Sequence, residues 1–429
     1  MIKALNPSLK KRTAFILSAV LLLALGGPGV PGAKGAPGAP GALGAPRVPG
    51  APRVPGAPRV PGAPAALGAL GATAAAAAAP GDVATEIYLN GSLLVSDVPP
   101  VLKDGRTFVP VRVIGEALGY EVGYDDGLVT LRHAALATDI AMTVGDPTAY
   151  VNGLPVELSA PTYIENGRTM APVRFLSEAL ESRVDWLEGD DSVPNKVSVF
   201  CPYPADVPGG KARIASRIES QYWELEAGDF GFNGIANIYY DFCMPVLTIP
   251  GNEALAQTLN DSFAEMALFA KSEMENIYNE QTKEAPDDRY SASETYNYSV
   301  ARGSGHLISI IIEGYSYYGG AHGMPYWTSF NVDLDLGKKL ALADLFLPDV
   351  DISGILHQRM RDLMNARPDE YEDVDEPHHL DVSAFYFQDG DLVLYYHPYD
   401  ISFYARGFVE FRIPLSSLSP HLHERYRMN

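Results

Sequence analysis

Residues 88–125 and 150–187 superimpose without a gap at an offset of 62, with 14 identities in 38 positions. A duplicated segment has to fold twice in the same way and bury both copies, so this repeat limits the architecture more than any other feature of the chain. Tyr88-Leu89-Asn90-Gly91 returns as Tyr150-Val151-Asn152-Gly153. Gly105-Arg106-Thr107-Phe108-Val109-Pro110-Val111-Arg112 returns as Gly167-Arg168-Thr169-Met170-Ala171-Pro172-Val173-Arg174, and Glu116-Ala117-Leu118 as Glu178-Ala179-Leu180. Asn-Gly adopts positive φ readily and predicts a tight hairpin turn. The Arg-Thr stretch is extended and enters a helix, with Pro110 and Pro172 where a first turn tolerates a missing N–H. In the first copy Val113, Ile114, Ala117 and Leu118 fall on one helical stripe. Arg112 and Glu116, four apart, pair on the open face. The four repeat arginines 106, 112, 168 and 174 are read as structural.

The remainder predicts a larger α+β region. A helix over Glu253–Gln281 follows the N-cap candidate Asn252, and Leu255, Leu259, Phe263, Met266, Ala270, Met274 and Ile277 line its buried face. Strand patterns follow at residues 295–300, 306–318 and 327–334, a second helix at Ile352–Ala366, a hairpin over 384–396 turning on Asp389-Gly390, and a closing strand at 408–413. Strands with interspersed helices and no regular βαβ rhythm point to α+β, with an antiparallel sheet and one long helix. The expected divisions are an export signal or N-terminal anchor at 1–26, a spacer at 27–82 and the repeats at 83–145 and 146–201, two tandem β-rich modules each around one helix. An α+β domain with the long helix at 212–310 and a C-terminal α+β domain at 311–420 complete the chain.

The N-terminus reads as an export signal. Lys10, Lys11 and Arg12 precede an apolar run over residues 14–25, which as a helix rises only ~18 Å against a ~30 Å hydrocarbon core. Cleavage after Ala24-Leu25-Gly26 and retention as an anchor are both open, and membrane contact is expected only in the second case. Beyond it, Gly recurs every third residue from Gly29 to Gly44, but Arg47, Arg53 and Arg59 then occupy the glycine position. A collagen triple helix does not survive that, so the segment reads as a disordered, polyproline-like spacer. Residues 1–80 carry a charge of +8 and residues 81–429 a charge of −29. A body that acidic repels phosphate backbones, which excludes nucleic acid as a partner. It suits a cationic one.

The paired Asn-Gly, Gly-Arg-Thr-x-x-Pro-Val-Arg and Glu-Ala-Leu elements resemble the copper-amine-oxidase-like N-terminal domain, or stalk domain, of Gram-positive surface proteins. The resemblance covers residues 84–200 and implies a fold, not copper chemistry. In the oxidases this domain is an accessory part, and the Tyr-derived cofactor needs Asn-Tyr-Asp/Glu, whereas the nearest stretch here is Asn297-Tyr298-Ser299. A second resemblance rests on the tract from Tyr315 to Gly323, on Asn331-Val332-Asp333-Leu334 with Gly337-Lys338, on Leu342-Ala343-Asp344-Leu345-Phe346, and on Tyr399-Asp400-Ile401 with Tyr404-Ala405. These resemble the extracellular domain of the sigma-V anti-sigma factor and the non-catalytic region of a peptidoglycan deacetylase. The resemblance implies an extracytoplasmic binding or structural role in a Gram-positive envelope, and lysozyme as a model of a cationic partner.

Few residues suggest chemistry. His322 lies in a Gly-Gly-Ala-His-Gly loop among Tyr315, Tyr317, Tyr318, Tyr326 and Trp327, six residues that form the candidate binding surface for a wall polymer or a cationic extracellular protein. The bland alternative is a packed strand end with a hydrogen-bonded histidine. His378-His379 beside Asp369, Glu370, Glu372, Asp373, Asp375 and Glu376 reads as a solvated acidic loop rather than a metal site. Cys201 and Cys243 are either a disulfide, as export allows, or two buried thiols. No nucleophile elbow or phosphate loop occurs. The expectation is therefore a protein without catalysis, metal or cofactor. The competing expectations are a hydrolase or deacetylase acting on wall glycan and a purely structural envelope component.

Overall fold

The computed structural model describes residues 85–427 apart from 181, 188–193, 208–209, 229–233, 303–305, 378–380 and 382. The expected signal, the spacer and the pair His378-His379 lie outside the described residues.

Each repeat builds its unit around one short helix, α1 (Val111–Ala117) or α2 (Val173–Ala179), and the two units exchange their opening hairpins. Thr85–Leu89 and Ser92–Leu94 of the first repeat join Arg183–Leu187 and Asn195–Phe200 of the second in one four-stranded sheet, with Thr85–Leu89 parallel to Asn195–Phe200. The second repeat's hairpin, Thr148–Val151 with Leu154–Glu157, completes a five-stranded sheet with Glu121–Asp125, Leu128–His133 and Thr138–Thr143 of the first. Arg106–Pro110 and Arg168–Pro172 pair antiparallel with Val109 opposite Ala171. Those positions are equivalent in the two repeats, so a pseudo-two-fold axis passes between them. One core that includes Ile114, Leu118, Phe175, Leu176 and Leu180 serves both copies. The α1 stripe centres on Val111, Ile114 and Leu118, with Val113 and Ala117 half-buried. The helix packs against Arg168–Pro172 of the other repeat as well as Glu121–Asp125 of its own, which turns its apolar face. Arg112 reaches Glu116 at 3.1 Å on the exposed side.

The C-terminal half is a seven-stranded sheet in the order Ala205–Asp206, Arg213–Glu226, Ile235–Thr248, Ala292–Arg302, Leu307–Tyr318, Met324–Asp333, Lys338–Lys339. Helix α3 (Glu253–Gln281) is the crossover that makes Ile235–Thr248 and Ala292–Arg302 parallel; the other pairings in this sheet are antiparallel. Asn252 caps α3, accepting from the Leu255 N–H, and all seven expected apolar positions are buried. The opposite face of the sheet carries a three-stranded sheet, Phe385–Gln388, Asp391–Tyr396 and Val409–Pro414, joined through Ile311, Tyr386 and Tyr395 with Trp327 packed alongside. Helix α4 (Ile352–Ala366) closes the outside of that layer.

Cys201 and Cys243 are not joined in a disulfide, which corrects that alternative. Each is fully buried, Cys201 in the core of the repeat unit and Cys243 in the core under α3. The Cys201 Sγ faces the Leu180 carbonyl at 3.9 Å, and burial pushes the Cys243 thiol well up.

The two halves meet at the first Asn-Gly turn. Asn90, 1% exposed, donates to the carbonyls of Tyr203 and Ile214 and accepts from the Cys201 N–H and Ser216 Oγ. Gly91 accepts from the Val300 N–H at 2.8 Å. A Cβ on Gly91 would lie 2.9 Å from the Tyr298 ring and 3.1 Å from the Ser299 Cα, whereas one on Gly153 would meet nothing within 4 Å. Arg183 adds a second tie, donating to Asp185 and across the junction to Asp241 at 2.8 Å. Both glycines have positive φ, +75° and +78°, so alanine strains each backbone by about 1 kcal/mol. Gly91→Ala is expected to lose a further 1–3 kcal/mol or so from overpacking. A matched pair of urea unfolding curves, Gly91→Ala against Gly153→Ala, measures the difference, and equal midpoints would refute the role given to this turn.

Candidate functional site

The strand Leu307–Tyr318 sends alternate side chains to opposite faces of the large sheet. Tyr315 and Tyr317 therefore lie on the face away from α3, and Tyr318 on the α3 face with Tyr326 of the neighbouring strand. Tyr315 and Tyr317 hold the glycine loop. The Gly323 N–H donates to the Tyr315 hydroxyl at 3.1 Å, and the Tyr317 hydroxyl donates to the Gly320 carbonyl at 3.0 Å. A Cβ on Gly323 would come 2.5 Å from the Ser316 carbonyl oxygen and the Tyr315 ring, so only glycine lets the loop fold back this closely.

His322 is exposed at the tip and stacks on Tyr404, ring centroids 3.9 Å apart and planes 25° from parallel. The Tyr404 hydroxyl donates to the Gly323 carbonyl at 2.9 Å, and His322 Nδ1 lies 2.9 Å from the same oxygen. Tyr399 completes the group, its hydroxyl 3.4 Å from His322 Nε2 and its centroid 5.6 Å from that of Tyr404. Tyr399 is 57% exposed and Phe403 51%. Tyr399 also has φ +75°, a costly conformation for a bulky side chain that persists only where the surroundings impose it. The result is an aromatic platform at one end of the sheet, held by hydrogen bonds to the loop backbone.

Of the six residues singled out in the sequence, the structure brings Tyr315, Tyr317 and His322 together. Tyr318 and Tyr326 belong to another cluster, where they donate to Glu294 at 2.6 and 3.2 Å. Glu294 is 1% exposed. Burial pushes its pKa up to about 7, against the pull of the Tyr318, Ser316 and Tyr326 hydroxyls and with added repulsion from Glu273. Trp327 sits on the platform's side of the sheet but stacks on Phe408 at 3.9 Å and 8°, and its main-chain N–H donates to His397 Nε2 at 3.2 Å. Beside it opens a cleft of about 150 Å³ lined by Arg406, Phe408 and Glu410. Tyr399, Phe403 and Tyr404 were not recognised as site residues, although Tyr399 and Tyr404 lie in the motif that carried the second resemblance. Among the described residues no cluster of three or more His, Cys, Asp or Glu could hold a metal ion. None of their helices is long and apolar enough to cross a membrane.

Comparison with known proteins gives three segmental matches. A family described as copper amine oxidase N-terminal domain matches residues 88–194, one described as deacetylase PdaC matches 236–325, and the protein family of unknown function DUF3298 matches 343–416. No curated protein matches the sequence. Among solved structures, a DUF3298 family member from Bacteroides fragilis NCTC 9343 is 21% identical over 49% of this chain and 94% of its own, with a TM-score of 0.36. A DUF3298 family protein from Pseudomonas aeruginosa PAO1 is 19% identical over 50% of this chain and 97% of its own, with a TM-score of 0.36. The chain thus carries, in order, segments similar to a copper amine oxidase N-terminal domain, to PdaC and to DUF3298, the composition its motifs resembled.

Proposed function

We propose that this chain is an extracytoplasmic, non-catalytic cell-envelope protein whose C-terminal half binds a wall polymer through the His322–Tyr399–Tyr404 platform. The platform itself carries the reading. Two of its rings, Tyr404 and His322, are held at the Gly323 carbonyl and stacked on each other, so less side-chain entropy is lost when a ligand covers them. Aromatic faces of this kind suit the flat apolar faces of sugar rings. The segments similar to PdaC and to the copper amine oxidase N-terminal domain support an envelope setting. The interlocked repeats then act as a mount for the binding half. The acidity of residues 81–429 favours a second reading, in which the platform anchors a cationic protein that long-range charge steers toward it.

Co-sedimentation of the full chain with purified insoluble peptidoglycan tests the first reading. Tyr399→Ala and Tyr404→Ala are each expected to weaken retention at least about tenfold, as hot-spot truncations do. No retention, or retention indifferent to both substitutions, would sink it. Binding to lysozyme that collapses between 50 and 500 mM salt, with none to peptidoglycan, would support the second reading.

A further inference from the structure

The cleft beside Trp327 is separate from the platform but is built on the same stretch of chain. Residues 399–404 supply Tyr399, Phe403 and Tyr404 to the platform, and residues 406–410 supply Arg406, Phe408 and Glu410 to the cleft. One wall is aromatic, formed by the parallel Trp327–Phe408 stack. The rest is polar and of mixed sign. Arg406 is fixed by donating to the main-chain carbonyls of Glu370 and Glu372. Glu410 accepts from the Tyr386 hydroxyl at 2.5 Å, with Arg412 3.7 Å away. Burial raises the Glu410 pKa against the pull of the Tyr386 hydroxyl and Arg412. Glu370, paired with Arg367 at 3.1 Å, stands at the rim.

These features narrow the occupant. A volume of about 150 Å³ is well below the roughly 300–1,000 Å³ of a pocket for drug-sized ligands and admits one small ring. The flat aromatic wall takes an apolar face, while Arg406 donates and the carboxyls accept. With a cation and carboxylates facing the same space, a fully charged ligand meets one repulsive neighbour whatever its sign. A neutral ring carrying several hydroxyls meets none and satisfies both kinds of group.

We propose that the Trp327–Phe408–Glu410 cleft is a sugar subsite, holding one pyranose ring of a linear glycan whose neighbouring rings lie on the His322–Tyr399–Tyr404 platform. This assignment rests on the wall-polymer reading above and adds the ligand class and a second contact point.

Titration of the full chain with chitohexaose, followed by calorimetry and tryptophan emission, tests it. The three tryptophans of the chain are Trp186, Trp223 and Trp327, so an emission change on binding should vanish in Trp327→Phe. Phe408→Leu, which keeps apolar volume but removes the aromatic face, and Glu410→Gln, which keeps shape, are each expected to weaken chitohexaose at least tenfold. N-acetylglucosamine alone should bind far more weakly than the hexamer, because it spans one subsite. The two variants differ in chemistry, and circular dichroism reports whether each is folded. Unchanged chitohexaose affinity in either folded variant overturns the subsite. Absence of chitohexaose binding by the wild-type chain also overturns it, and the platform reading then stands or falls separately on retention by insoluble peptidoglycan.

Discussion

Arg425→Ala is expected to destabilise the C-terminal half by about 2–3 kcal/mol, because it strips the charged donor from a fully buried carboxylate while Arg425 itself is a third exposed. Asp333 is fully buried at the end of the strand Met324–Asp333, where it accepts from the Asp335 and Leu336 N–H groups at 3.0 and 2.9 Å and caps the following turn. Arg425 forks onto the same carboxylate, with Nη2 at 2.7 Å, and His306 Nε2 lies 3.4 Å away. Burial alone would raise the Asp333 pKa, yet the hydrogen bonds from Arg425 and Leu336 and the charge of His306 hold it below the ordinary carboxylate value. In wild type this stabilises the fold above the unfolded pKa of about 4 and fades as acid protonates the carboxylate. Without Arg425 the buried charge keeps the Asp335 and Leu336 N–H groups, the Tyr426 hydroxyl at 3.4 Å and the nearby His306, and loses its forked cationic donor. Urea unfolding at pH 7 measures the loss. The double substitution Asp333→Asn with Arg425→Met should recover much of it, and a loss under about 1 kcal/mol would show that the pair is not needed.

The second large effect has the opposite pH dependence. Glu294 lies in the core under α3 with a pKa near 7 instead of 4.5. Below pH 4.5 the folded and unfolded chains both hold this proton. As pH rises from 4.5 to 7 the unfolded chain releases it while the fold retains it, so stability falls. Above 7 the penalty is complete at about 3 kcal/mol, from 1.36 kcal/mol per unit. Glu294→Gln reproduces the protonated acid, one acceptor and one donor group toward Tyr318 and Tyr326. It is expected to raise stability by about 2–3 kcal/mol at pH 8 and to leave it little changed at pH 4.5. Thermal unfolding of both proteins across pH 4.5–8 would show the curves diverging with pH. Parallel curves would mean that Glu294 is ionised at no unusual cost.

Local chemistry made part of this molecule legible. Asn252 and the seven apolar positions after it define α3 because a cap and a 3.6-residue period are written in consecutive residues. Asn-Gly and Asp-Gly announced the hairpins at Asn90, Asn152 and Asp389, all of which have positive φ. The two-residue alternation of a strand is enough by itself to put Tyr318 on the face opposite Tyr315 and Tyr317. The hairpin exchange was not legible, because pairing Thr85–Leu89 with Asn195–Phe200 joins segments 110 residues apart and either strand alone looks like any other. Tyr399 was missed for a related reason. Its positive φ belongs to the turn in which the Asp400 N–H donates to the His397 carbonyl at 3.0 Å, and it leaves no mark on residue type, whereas the Gly-Gly-Ala-His-Gly tract drew attention through its glycines and the aromatics around it.

The parallel pairing of Thr85–Leu89 with Asn195–Phe200 has a mechanical consequence. Tension between Thr85 and the C-terminal half pulls the first strand from its start and the second from its end. Two parallel strands loaded that way slide along each other, and all five registered pairs resist together. An antiparallel hairpin pulled at its open end would unzip one pair at a time. With Asn90 and Arg183 clamped to the large sheet just beyond, a pull from the N-terminal side meets this pairing in shear and not as a zipper.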